Sequence, residues 1–92
     1  MSQKIYKYEL NLGLNKIEVS KYHEVLTAQI QGGKLVVWIK VDPDLPQDCT
    51  ITFDVVGTGH KLADDNFTFK YLSTVQEASG ILVWHIFYRE GL

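Results

Sequence analysis

Three observations predict an all-β fold, a small antiparallel sandwich or flattened barrel of six to seven strands. Apolar and polar residues alternate nearly everywhere, and no segment sustains a 3.6-residue apolar period. Turn-forming residues interrupt that alternation at spacings of about ten residues. The chain has 92 residues, 46% of them apolar, which suits a domain with a thin core and is far too apolar for disorder. Residues 1–92 therefore read as one all-β domain.

The first strand is expected over roughly 3–11, carrying Ile5, Tyr6, Tyr8 and Leu10. Leu12-Gly13-Leu14-Asn15 reads as a turn, with Lys16-Ile17-Glu18-Val19 returning as the hairpin partner. Tyr22 and His23 fall in a connection. A third strand over about 24–31 sets Leu26, Ala28 and Ile30 against Thr27, Gln29 and Gln31. Gly32-Gly33 supplies the positive φ angles of a tight hairpin. The fourth strand, about 34–42, is apolar on both faces, and Asp42-Pro43-Asp44-Leu45-Pro46 stops it because proline cannot donate to a ladder. A fifth strand over about 49–57 alternates Ile51, Phe53 and Val55 with Thr50, Thr52 and Asp54, and ends at Gly57-Thr58-Gly59. A loop from His60 to Asn66 leads to a strand in which Phe67, Phe69, Tyr71, Ser73 and Val75 share a face. A turn over Glu77 to Gly80 precedes the last strand, Ile81 to Tyr88, again apolar on both faces.

A strand apolar on both faces needs something over its second face. Long loops would serve, and so would a second copy of the chain. In so small a domain the second copy is favoured, so a homodimer or higher homo-oligomer is expected. Net charge is −2 and the nine Lys and Arg are scattered, which leaves no basic stripe for a long nucleic acid. The longest apolar run, Leu35 to Ile39, is too short to span a bilayer. The opening Met1-Ser2-Gln3-Lys4-Ile5 lacks a secretory pattern, and the single cysteine, Cys49, cannot form an internal disulfide. Both point to a cytoplasmic protein, with Cys49 structural.

Candidate chemistry gathers at Gly57-Thr58-Gly59-His60. Two glycines flanking a threonine let backbone N–H groups converge on an anion, Thr58 adds a hydroxyl, and His60 adds a titratable donor. The spacing matches no Walker or dinucleotide fingerprint, and a bulged turn is the alternative. His85 shares its face with Val83 and Phe87, opposite Trp84; it reads as a bonded core residue or a pocket donor. Trp38 and Trp84, with the tyrosines at 6, 8, 22, 71 and 88, offer rings that stack on a base or fill a core. Asp64 and Asp65 with His60 lack metal spacing and read as a solvated turn, so neither a metal, a cofactor nor catalysis is expected.

Lys4-Ile5-Tyr6-Lys7-Tyr8, then Val56-Gly57-Thr58-Gly59-His60, then Leu82-Val83-Trp84-His85-Ile86-Phe87 occur in that order. Together they resemble a family of short bacteriophage proteins with a GTGH loop and a last strand of the form Trp/Phe-His-x-Phe. The resemblance covers most of the chain and implies a phage or prophage origin and a bacterial cytoplasm. The residues add the expected function: binding and sequestering a small anionic, nucleotide-type signal, without chemistry, through Gly57, Thr58, Gly59, His60, Trp84, His85 and Trp38. A module binding a host or virion protein is the alternative, and a nucleotide-cleaving enzyme with His60 as acid or base comes third.

Overall fold

The computed structural model describes residues 2–77 and 79–91. Seven strands are present among them: β1 (Lys4–Glu9), β2 (Gly13–Val19), β3 (His23–Gln31), β4 (Lys34–Val41), β5 (Cys49–Gly57), β6 (Lys70–Gln76) and β7 (Val83–Glu90). The only helical element among the described residues is a single 3₁₀ turn, Asn66–Thr68. The strands form two antiparallel sheets, one ordered β1-β4-β3 and the other β2-β5-β7-β6, and they do not close into a barrel. Met1, Ala78 and Leu92 lie outside the described residues, so the sequence reading of the opening residues and of the Glu77–Gly80 turn is tested only in part.

One core joins the two sheets. Val37, Ile39 and Val41 of β4 meet Ile51, Phe53 and Val55 of β5 and Ile86 of β7, all essentially inaccessible to water. The period of two set these positions, because successive strand residues point to opposite faces. The hairpin at Gly32-Gly33 forms as expected, with φ of 58° and 79°, the two positive values of a two-residue turn. The stop after β4 is also as expected: Asp42 Oδ1 accepts from the Asp44 amide at 3.0 Å, and the Asp42 carbonyl accepts from the Leu45 amide at 3.2 Å.

Three expectations are corrected. The first two strands do not form a hairpin; β1 pairs with β4 and β2 pairs with β5, so the chain changes sheets between them. The Leu10 amide still bonds the Leu35 carbonyl, at 2.9 Å, which keeps Leu10 in the first sheet. Past it, the Asn15 side chain accepts from the Asn11 amide and donates to the Asn11 carbonyl, both at 2.8 Å, and fixes a corner with Gly13 at φ +93°. Second, Phe67 and Phe69 do not belong to the sixth strand: Phe67 lies in the 3₁₀ turn and is 87% exposed. A bulge between Tyr71 and Ser73 then reverses the alternation, so Tyr71 does not share a face with Ser73 and Val75. Third, His23 begins β3, where its ring spans the Ser20 carbonyl (2.7 Å) and a Glu90 carboxylate oxygen (2.8 Å), clipping the first sheet to β7 of the second.

The second face of β4 is covered within the chain. Val36 is nearly inaccessible and Trp38 half-buried, and Trp38 lies between Lys7 of β1 and Thr27 of β3. Lys7 reaches over to Gln31 at 2.8 Å, and Lys40 to Glu24 at 2.9 Å. The methylene stems of such residues shield apolar surface while their charged ends stay wet.

Candidate functional site

β5 runs directly into the turn singled out from the sequence. The His60 amide donates to the Gly57 carbonyl at 3.0 Å, closing four residues, and Gly59 takes the third position at φ +83°. A side chain at that φ is strained, so glycine belongs there. Gly57 is needed for a different reason. A Cβ there would lie 2.9 Å from His60 Nδ1 and 3.4 Å from Trp84 Cζ3, so the imidazole and the indole converge on the space that a side chain would fill. Trp84 is the ladder partner of Gly57 on β7.

Gly57, Thr58, His60 and Trp84, with Ile81, Leu82 and Val83, line a hollow of about 240 Å³. Thr58 and His60 are exposed, whereas Gly57 is buried. His85, beside Trp84 in sequence, points to the other face and reaches the site through Thr58: its Nε2 is 2.7 Å from Thr58 Oγ1. Its Nδ1 lies 3.0 Å from Thr74 Oγ1, which lies 2.6 Å from the Tyr71 hydroxyl. The register builds this chain. Val56 and Thr74 flank His85 in the two ladders of β7, and Thr58 follows Val56 by two residues on the same face. Tyr71 and Thr74 are an odd number of residues apart, and only the bulge brings both to that face.

Six of the seven sequence-derived site residues therefore meet at one turn. Trp38 does not join them: it stands on the outer face of the β1-β4-β3 sheet, because Val37 and Ile39 on either side point into the core. Thr74 and Ile81 were not singled out for the site, and Tyr71 only as one of several rings that could stack or fill a core. A bulge leaves no signature in alternating sequence, so 71 and 74 read as opposite faces.

Between the turn and β6 the chain forms a strap over the outer face of the second sheet. Asp54 points outward yet is only 2% exposed, because its Oδ2 accepts from the Ala63 amide (3.1 Å) and the Asn66 side chain (2.9 Å). Arg89 holds the far end, donating to Asp65 at 2.7 Å and Thr68 Oγ1 at 2.8 Å, with its guanidinium 4.5 Å from the Phe69 ring centroid. The hydrogen bond from Arg89 keeps the Asp65 carboxyl below its ordinary value. Asp65 is thus an anchor of the strap, and Asp64 pairs with Lys61 at 3.2 Å. Among the described residues no three His, Cys, Asp or Glu side chains gather as metal ligands. Under the strap lies a groove of about 440 Å³, lined by Leu12, Leu14, Val56 and Leu62 among others; His60 borders both it and the smaller hollow.

A family model described as a domain of unknown function matches residues 1–91. No curated protein and no solved structure matches the chain. Among the described residues no helix is long and apolar enough to cross a membrane.

Proposed function

The chain belongs to the DUF7352 family, and we propose that this member binds a small anionic, nucleotide-type ligand at the Gly57–His60 turn and holds it without chemical change. The observation that carries this reading is the convergence of Thr58, His60 and Trp84 on one hollow. A hydroxyl and an imidazole suit phosphate oxygens, and an indole suits a planar or sugar face. The hollow, about 240 Å³, is smaller than the roughly 300–1,000 Å³ of sites that enclose a whole ligand. It fits a phosphate with part of a sugar. Ile81, 81% exposed, and Leu82 stand at its rim, and a second copy of the chain packed on them would enlarge and close it. Stoichiometric capture of this kind suits a phage protein that counters a diffusible nucleotide signal in the bacterial cytoplasm.

The test mixes purified protein with candidate mononucleotides and cyclic oligonucleotides, measures heat of binding, then denatures the protein and recovers the ligand. Intact ligand is the expected result. Cleaved ligand supports an enzyme instead, and no heat with any candidate removes both readings. A second reading rests on Phe67, whose 87% exposure at the crest of the strap is unusual for a phenylalanine. It makes the protein an interaction module for a host or virion protein, and its sign is a stoichiometric partner recovered from lysate that Phe67→Ser no longer retains.

A further inference from the structure

We infer that Tyr71 and Thr74 are positioning residues that orient His85, and through it make the Thr58 hydroxyl a hydrogen-bond donor toward the hollow. This deepens the proposed anion-binding reading and rests on it. Four side chains from β6, β7 and the turn form one chain: Tyr71 hydroxyl to Thr74 Oγ1 at 2.6 Å, Thr74 Oγ1 to His85 Nδ1 at 3.0 Å, and His85 Nε2 to Thr58 Oγ1 at 2.7 Å. A neutral imidazole carries one N–H, so only two arrangements align every bond of the chain head to tail.

In one direction Thr58 gives its proton to His85 Nε2, and Nδ1–H donates to Thr74. That is the polarity of an activated nucleophile, with a base oriented by a third group. In the other, Tyr71 O–H donates to Thr74, Thr74 O–H to Nδ1, and Nε2–H to Thr58 Oγ1, which leaves the Thr58 proton pointing away. The phenol decides between them. A phenolic O–H, with its pKa near 10, is a better donor than an aliphatic hydroxyl and a poorer acceptor. The 2.6 Å contact is short even for O–H···O and suits the phenol as donor. With the first bond pointing toward Thr74, the arrangement in which Thr74 passes its own proton to Nδ1 keeps every bond aligned head to tail, and bonds so aligned polarise one another, whereas Thr74 accepting from both the phenol and Nδ1–H breaks that alignment. The Thr58 proton is then free for an acceptor bound in the hollow that Thr58 lines. Such a donor selects acceptor-only ligands, which is what a phosphate offers, and it disfavours a threonine nucleophile at the same site.

The tautomer of His85 is the direct readout, observable in the free protein by two-dimensional ¹⁵N–¹H correlation of the imidazole nitrogens near pH 8. The Nε2–H form is expected. Thr74→Val, which removes the donor to Nδ1, should shift His85 toward the Nδ1–H form, and Thr74→Ser should restore it. Adenosine 5′-monophosphate serves as the binding probe, with adenosine as its uncharged control. Tyr71→Phe and Thr74→Val should each weaken the monophosphate by about three- to tenfold, leave adenosine unaltered and keep Tm near that of the parent. Nδ1–H as the resting form of the parent protein overturns the relay while leaving anion binding to stand. Unchanged monophosphate affinity in both variants overturns it as well. If the parent protein binds no monophosphate, the anion site itself falls, with or without the Nε2–H signature.

Discussion

Gly57 separates what the turn does for the fold from what it does for a ligand. The nearest obstacle to a Cβ there is His60 Nδ1, at 2.9 Å, the far end of an exposed side chain that can swing away. Gly57→Ala should therefore fold with Tm close to the parent's and lose ligand affinity, because the imidazole no longer lies over the strand. His60→Ala should weaken an anionic ligand by about 1.5–3 kcal/mol if the ring bonds a phosphate. Calorimetry on the two variants should then give similar losses, and parent-like affinity in Gly57→Ala would mean that the ring works from another position. The residue types at 57–60 were legible because glycine, threonine and histidine each bring a specific capacity to a turn. Tyr71 and Thr74 were not legible. Tyrosines and threonines are ordinary on strands, and the contact between these two depends on a bulge.

The strap is the element on which the outer face of the second sheet depends. Asp54→Ala leaves the Ala63 amide and the Asn66 side chain without their shared acceptor, which should cost about 1–3 kcal/mol and raise hydrogen exchange at Ala63 well before the core opens. The other anchor responds to acid. Asp65 has its carboxyl lowered first by the hydrogen bond from Arg89 and then by that guanidinium's charge. Its contribution is complete above the unfolded value near 3.8 and disappears as pH falls through the lower folded value. A carboxyl-carbon titration should place Asp65 below 3.8, and in Arg89→Leu it should return to the ordinary range. The bounds of β3, β4 and β5 were readable almost to the residue, since glycine pairs, prolines and alternation mark them, but a bulge between Val25 and Thr27 puts Val25 rather than Leu26 on the core face with Ala28 and Ile30. The start of β6 was not, because Phe67 and Phe69 continue the alternation while the backbone has already turned into 3₁₀ geometry.

For the molecule as a whole, the proposed second copy makes a mass prediction. Light scattering at tens of micromolar should give a dimer or larger, and Ile81→Glu should give a soluble monomer with weakened ligand binding; a monomeric parent protein would leave the hollow to work alone. Composition and period announced two faces of β structure, but not which strands share a sheet. Sheet membership is decided by corners such as Asn11–Asn15, whose side-chain bonds look in sequence like any hairpin turn. That change of sheet after β1 also governs how the chain can be made. The second sheet runs β2-β5-β7-β6, so β7, last in order, is an inner strand, and β2 must wait across β3 and β4 for β5. On a ribosome, the first sheet can form once β4 emerges and β2 can pair once β5 follows, but the second sheet stays open at its centre until β7 emerges. Pairings this distant along the chain fold on a timescale of about milliseconds to seconds. During that wait the bare flank of β5 is the surface most exposed to aggregation, so synthesis speed and chaperone supply should govern soluble yield more than the stability of the finished fold.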